Sequence, residues 1–297
     1  MSRCSAVVTG ATGFVGRHLV KHLLDRGWLV HAIARPASNC SHLTDLGENF
    51  TLYTHNGSID ALIEQFQTIR PSIVFHLASL FLSEHQPKDV EPLIQSNLLF
   101  GTQLVEAMTQ GGVTALVNTG TAWQHYEGRD YSPVNLYAAT KQAFEALLQY
   151  YIEARGLRVI TLKLHDTYGP DDARPKLINR LRHVALTSES LEMSPGEQLI
   201  DLLHVDDVSE AFRVAAMRIL DGCVSGHECY CLSSGFPMTL RALVEQVEQL
   251  LDRTLPITWG GRPYREREVM EPWRGPTLPG WAPSRNWVTG ILQTLSC

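Results

Sequence analysis

The chain lacks the marks of several large protein classes. No pair among its six cysteines has the C-x-x-C spacing of a zinc or redox site. Cys229-Tyr230-Cys231 is too tight for a routine disulfide. The set therefore reads as reduced thiols of a cytoplasmic protein. No apolar run approaches the ~20 residues of a membrane helix. The start, MSRCSAVVTG, enters a strand-like segment with no room for a signal peptide's apolar core. The expectation is a soluble, cytoplasmic protein with no membrane partner. No H-x-x-x-H pair or carboxylate cluster accompanies His76, His165 or Asp166, so no metal site is expected. Positive charge is in deficit as well: 25 Lys and Arg against 31 Asp and Glu leave −6. Such a surface repels a phosphate backbone overall and argues against a nucleic-acid partner. A local basic pocket for one small anion stays open.

What the chain does have is apolar material in a regular rhythm. With 44% hydrophobic residues it is too apolar for a disordered chain, and 22 Gly with 15 Pro are too few for a collagen-like one. Strand-like runs at 6–8, 29–33, 50–53, 72–77, 115–118 and 158–162 alternate with amphipathic stretches. The spacing predicts helices from Phe14 to a stop at Gly27 and over 59–66, 89–108 and 136–153. This alternation predicts an α/β protein, a Rossmann-type doubly wound parallel sheet covered by helices on both faces. After Gly169-Pro170 the texture changes to helical pieces at 176–186, 208–220 and 240–251 between Pro- and Gly-containing loops. The predicted division is a dinucleotide-binding domain over 1–165 and a smaller substrate lobe over 166–297. Within the lobe, about 199–220 is expected to pack back on the first domain.

Thr9-Gly10-Ala11-Thr12-Gly13-Phe14-Val15-Gly16 follows the first strand and opens the first helix. Gly10 permits a tight turn, Gly13 lets backbone approach a pyrophosphate, and Gly16 allows close packing of helix on sheet. The helix N-terminus adds free N–H groups and partial positive charge. The strand before and the helix after give this glycine pattern the context it needs. At the end of the second strand a carboxylate would select NAD and an arginine NADP. Ala34-Arg35-Pro36-Ala37-Ser38-Asn39 has no carboxylate, and Arg35 with Ser38 suits a 2′-phosphate. NADP(H) is favoured over NAD(H), against the plainer reading of Arg35 as a solvated loop charge.

Tyr137-Ala138-Ala139-Thr140-Lys141 opens a predicted helix, and i, i+4 spacing puts phenol and ammonium on one face. A neighbouring ammonium is expected to lower the Tyr137 pKa from ~10 towards the working range. Together with TGATGFVG, His76-Leu77-Ala78-Ser79, Asn97 with Gly101-Thr102, Tyr168-Gly169-Pro170 and His204-Val205-Asp206-Asp207, these residues carry a resemblance. Over nearly its whole length the chain resembles the extended short-chain dehydrogenase/reductases, the NAD-dependent epimerase/dehydratase family. The resemblance implies a third catalytic group at Thr119, with Thr121 as a possible substitute. It also implies dinucleotide contacts at Ser58, Ile59, Leu77, Ala78, Ser79, Asn97, Tyr137 and Lys141. Dehydratases of the family carry Asp-Glu after the Thr; Gly120 and Thr121 stand there instead, which argues against water elimination.

Within the family, the segments 133–136, 166–170, 193–198 and 265–268 look most like the CDP-abequose and CDP-paratose synthases. That implies an NADPH-dependent reductase of a nucleotide-linked 4-keto-deoxysugar. Related enzymes often place an Arg before the Asp preceding His-Val-Asp-Asp, whereas this chain has Ile200 before Asp201. Arg174, Lys176, Arg180, Arg262 and Arg265 are the candidates to hold the diphosphate instead. His204, Asp206 and Asp207 read as architectural, with Asp206 capping the following helix. Trp273, Trp281 and Trp287 read as packing residues. A homodimer through the helices at 89–108 and 136–153 is expected by analogy. The rival readings are a 4-epimerase with tightly bound NAD, a non-catalytic dinucleotide-sensing regulator, and a reductase of a non-sugar ketone.

Overall fold

The computed structural model describes residues 3–296. Its first half runs β1 (Ser5–Thr9), α1 (Phe14–Asp25), β2 (Leu29–Ala34), β3 (Phe50–Thr54), α2 (Ile59–Ile69), β4 (Ile73–His76), α3 (Val90–Ile94), α4 (Phe100–Gln110), β5 (Ala115–Thr121), α5 (Leu136–Arg155) and β6 (Arg158–Leu164). The second half runs β7 (Asp166–Tyr168), α6 (Leu177–Thr187), β8 (Leu191–Met193), β9 (Leu199–Ile200), β10 (Leu202–His204), α7 (Val205–Leu220), β11 (His227–Leu232), β12 (Met238–Thr239), α8 (Leu240–Leu251), β13 (Ile257–Trp259) and α9 (Trp287–Ser296). Seven parallel strands form the main sheet in the order β11-β6-β5-β4-β1-β2-β3.

The strands are apolar on both faces because both faces are covered. Along β1, Ala6 and Val8 enter a core shared with Leu19 and Leu23 of α1 and Phe212 of α7. Val7, between them, enters the opposite core with Phe66 of α2, Met108 of α4 and Phe144 of α5. The period of two thus divides one strand between two layers of helix. A third core, built on Leu181, Leu243, Val247 and Ile291, belongs to the C-terminal lobe.

Two elements depart from the sequence reading. Residues 227–232 fall within the lobe in the sequence division, yet β11 pairs with β6, Tyr230 opposite Leu162, and forms an edge of the main sheet. Its alternation of His227, Glu228, Cys229 and Tyr230 shows no clean apolar face, which hid the strand. The single helix expected over 89–108 is α3 and α4 joined by a π-helical segment, Gln95–Leu99. The widened turn points Asn97 inward, 2% exposed, where it bonds to the protein interior. The cap of α7 is also corrected. His204, not Asp206, is the N-cap, and its Nδ1 accepts from the Asp206 N–H at 3.2 Å. Asp206 pairs with Arg285 at 2.6 Å, while Asp207 accepts from the N–H groups of Ser284 and Arg285.

Candidate active site

The C-terminal ends of β1, β4, β5 and β6 open on a cleft of about 1210 Å³ between the sheet and the lobe. On the sheet side, Gly10 sits at φ +74°, and a Cβ there would lie 2.6 Å from Ala78 N. A Cβ at Gly16 would lie 2.1 Å from the Gly10 carbonyl oxygen, so α1 can start against this turn only as glycine. The N-cap of α1, Gly13, makes no side-chain cap bond, and no acidic residue occupies the first turn. The helix therefore presents uncapped N–H groups at the cleft, the arrangement that receives a phosphate. Gly10, Gly13, Phe14, Val15, Gly16, Leu77 and Ser79 line the cleft, with Thr12 half-buried within the same loop. Ala78 donates its N–H to Thr9 Oγ1 at 3.4 Å and so ties the loop after β4 to β1.

Other expected dinucleotide contacts have different partners. Ser58 caps α2, accepting from Ala61 N at 3.4 Å, and Ile59 begins that helix; neither lines the cleft. Asn97 accepts from Leu80 N at 2.8 Å and donates to Leu80 O and Thr140 Oγ1, so its amide is committed to the fold. Arg35 follows β2 and is exposed, its carbonyl accepting from Ser38 N in a turn.

Asn135 caps α5, its Oδ1 accepting from Ala138 N at 2.9 Å, while its Nδ2 donates to Leu82 O and Ser83 O. This pins the loop after β4 over the first turn, where the Phe81 ring meets Tyr137 edge-on at 5.0 Å. Tyr137 lines the cleft with Thr119 and Thr121. Thr119 Oγ1 is buried without a hydrogen-bond partner among the described residues, whereas Thr121 Oγ1 accepts from Trp123 N at 3.3 Å. A buried hydroxyl left open in this way has room for a ligand oxygen.

The expected lowering of the tyrosine does not occur in the protein alone. Burial pushes Tyr137 up to about 12, and Ser79 pulls weakly the other way. Ser79 Oγ itself makes no hydrogen bond of ordinary geometry. Burial holds Lys141, 3% exposed, down to about 8, with the Glu145 carboxylate one turn on opposing it. His76, bonded to Thr9 Oγ1 at 2.8 Å, is held neutral at about 3 by burial and the Lys141 charge.

The lobe side carries the cations, but not all of them are available. Arg174 lines the cleft, but its Nε and Nη2 grip both carboxylate oxygens of Asp172 at 2.7 and 2.8 Å and Nη2 also donates to Thr167, so two of its three guanidinium nitrogens are engaged with the protein. Lys176 pairs with Asp166 at 2.9 Å and holds that carboxyl below its usual range against the effect of burial. Arg262 and Arg265 line the cleft as exposed residues, Arg265 with only a 4.0 Å approach to Glu268. Exposed Arg180 lines it too.

A model of the NAD dependent epimerase/dehydratase family matches residues 6–223. This chain belongs to that family. Membership makes it an enzyme of NAD(P)-dependent oxidoreductase chemistry. It is 26% identical to a CDP-abequose synthase of Yersinia pseudotuberculosis over 268 residues, 90% of each chain. It is 24% identical to a UDP-glucuronate 4-epimerase of Thermodesulfobacterium geofontis, over 98% of this chain and 94% of the relative. In fold it is similar to a UDP-glucose 4-epimerase of Thermotoga maritima solved with UDP-glucose. There the TM-score is 0.85 at 22% identity, with 98% and 97% of the chains covered.

Against the family pattern, Gly120 is the informative departure. A Cβ at 120 would come within 2.9 Å of Gln124 Oε1 and 3.0 Å of Lys163 Cγ and Thr161 Cγ2. A side chain at the position that carries a carboxylate in the family's dehydratases would here have to displace Gln124, Lys163 and Thr161. Sequence reasoning missed several residues of the site. Asn135 was findable, as an Asn immediately before an apolar-periodic helix. Phe81 and His125 gave no local signal, and Arg267, which donates to Ser132 Oγ at 2.6 Å, lies in the 265–268 segment without having been singled out there. Trp273, read as packing, lines the cleft. Among the described residues one set of metal-type donors converges, Glu145, His227 and Cys229, and the Lys163 ammonium lies 3.4 Å from Glu145.

Proposed function

We propose that this enzyme reduces the 4-keto group of a nucleotide-linked deoxysugar, of the CDP-4-keto-3,6-dideoxyhexose type, with NADPH. The observation that carries the reading is the convergence of Thr119, Tyr137 and the glycine loop on one cleft whose far side holds Arg262 and Arg265. The glycine cradle and the uncapped start of α1 fit a dinucleotide. When bound, its reduced nicotinamide supplies the hydride for the carbonyl carbon. Tyr137, whose phenol stays protonated far above neutral pH, delivers a proton to the developing alkoxide. Thr119 Oγ1 donates a hydrogen bond to the same oxygen. Lys141, buried one helical turn on in α5, is the charge assigned to stabilise the phenolate left after transfer. Ketone, NADPH and one proton thus give alcohol and NADP+.

Arg35 favours NADPH, because an exposed guanidinium past β2 can fork onto a 2′-phosphate. Arg262 and Arg265 suit the substrate diphosphate, with Lys176 beside the sugar. The abequose-synthase relative supports the deoxysugar, and Gly120 speaks against dehydration. A cytoplasmic setting fits the described cysteines, which are all unpaired. No helix among the described residues is long and apolar enough to cross a membrane. A second copy of the chain is the proposed cover for an exposed apolar set on α3, the π segment and α5: Val90, Ile94, Leu99, Leu147 and Tyr150.

The test is incubation of the protein with NADPH or NADH and a panel of nucleotide 4-ketosugars, following nicotinamide absorbance. Consumption of NADPH in preference to NADH, fastest with the CDP-linked dideoxyhexulose, is expected. No consumption with any member would sink the proposal. The second reading, a 4-epimerase, is favoured by the UDP-glucuronate 4-epimerase relative. It predicts NAD(H) retained through purification and interconversion of 4-epimers with no cofactor added.

A further inference from the structure

Proton delivery and hydride transfer leave one buried charge unexplained. Lys163 on β6 is 4% exposed, with its ammonium 3.4 Å from Glu145 Oε2 on α5 and 2.8 Å from His125 Nε2. Since the ammonium can only donate, His125 Nε2 accepts and its Nδ1–H donates to the Arg129 carbonyl at 3.0 Å. That fixes one neutral tautomer and one ring orientation. The ring stacks on the Trp273 indole, centroids 3.9 Å apart and planes within 10°. Both rings line the cleft beside Thr121, Trp123 and Tyr137. Trp273 arrives on the C-terminal segment, where its carbonyl accepts from His165 Nε2 at 3.1 Å and Cys231 Sγ at 3.5 Å. Glu145 also accepts from Gln124 Nε2 at 2.7 Å, and Gln124 Oε1 accepts from Thr121 N at 3.0 Å.

We propose that Glu145, Lys163 and His125 form a positioning device that holds the His125–Trp273 stack as a wall of the substrate cleft, and so sets substrate affinity. The inference rests on the reading of this cleft as the nucleotide-sugar site. A hydrophobic pair could pack the same space. The ammonium, with the Arg129 carbonyl on the other nitrogen, fixes the imidazole's orientation as a hydrophobic pair would not, and with it the plane on which the indole lies. The device is also acid-sensitive. The charged side chains facing His125 are Lys163 on β6 and Glu145 on α5; Arg129 and Asp130 reach it through backbone groups. Burial and the ammonium hold the imidazole below its ordinary range, and its protonation sets two cations 2.8 Å apart. Substrate affinity is therefore lost on the acid side.

The test compares Lys163→Met with Lys163→Arg, each assayed for ketosugar reduction at saturating NADPH. For Lys163→Met, KM for the nucleotide sugar rises about tenfold or more while kcat stays within about twofold. NADPH affinity is unchanged, and Lys163→Arg recovers most of the loss. An unchanged KM overturns the inference, and so does a matching loss of NADPH affinity. If Lys163→Met fails to fold, Lys163→Gln, which keeps a hydrogen-bond donor but no charge and leaves Glu145 in place, is read the same way. The His125 imidazole titration, followed by NMR without substrate, shifts upward in the variant. If no ketosugar is reduced by the wild type, the functional reading falls while this titration still decides whether Lys163 holds His125. An unmoved titration overturns the inference by itself.

Discussion

The two sides of the cleft treat their polar groups in opposite ways. On the sheet side the groups that matter are left open: the uncapped N–H groups of α1, the partnerless Thr119 hydroxyl, the Tyr137 phenol. On the lobe side, two of the cations are already tied, Arg174 to Asp172 and Lys176 to Asp166, and the open ones are Arg180, Arg262 and Arg265. The difference teaches that an arginine near a cleft is a ligand only if no carboxylate reaches it first. Asp172 stands two residues before Arg174, so that warning was written in the sequence.

The largest effect follows from the sheet side. Tyr137→Phe removes the proton donor and nothing that contacts the glycine loop. Reduction should fall by about a thousandfold, within the range for a lost general acid, while NADPH titrated by fluorescence binds as before. Retained turnover would mean that the proton comes from elsewhere and that the open groups of the sheet side are not the chemical ones.

How far each side could be read from sequence follows from the range of its contacts. The glycine loop and the Tyr137–Lys141 pair are local patterns: a turn that needs φ > 0, and a spacing of one helical turn. The six central strands were legible because residues such as Val7 and Val8 are apolar whichever face they meet. β11 was not, because the apolar alternation is broken by His227 and Glu228, and only pairing with β6 makes the segment a strand. The His125–Trp273 stack joins residues 148 positions apart and leaves no local trace. The Tyr137 shift was misjudged for a related reason. Spacing shows that an ammonium is one helical turn away, but not how thoroughly the fold strips water from the phenol, and here burial decides the direction.

The second break is in pH. Lys141 titrates at about 8 in the fold against an ordinary 10.5. Reduction that depends on its ammonium should fall above pH 8 by about tenfold per unit, with Tyr137 still protonated there. Stability moves the other way. Between pH 8 and 10.5 the unfolded chain binds the extra proton, so unfolding free energy rises with pH across that window. Below pH 8 the buried ammonium costs on the order of 3 kcal/mol. Lys141→Met should therefore raise Tm at neutral pH and abolish the rise of stability between pH 8 and 10.5. A destabilised Lys141→Met would place the charge in a contact that the fold needs.

The smallest effect sharpens the comparison most, because it sets one arginine against another on the same wall. Arg262→Ala removes an exposed guanidinium that pairs with no side chain among the described residues, so stability should hold and KM for the nucleotide sugar should rise about tenfold. Arg174→Ala strands an Asp172 side chain that is 3% exposed and opens two bonds to Thr167. It should cost about 2 kcal/mol in denaturant titration, with the guanidinium's own partial exposure keeping the figure below that of a fully buried pair. Its KM should change less than that of Arg262→Ala. The reverse pattern, Arg174 governing KM and Arg262 governing stability, would mean that substrate breaks the Asp172 pair on binding. The lobe side would then hold its ligands closed in the free enzyme and open them only for the diphosphate.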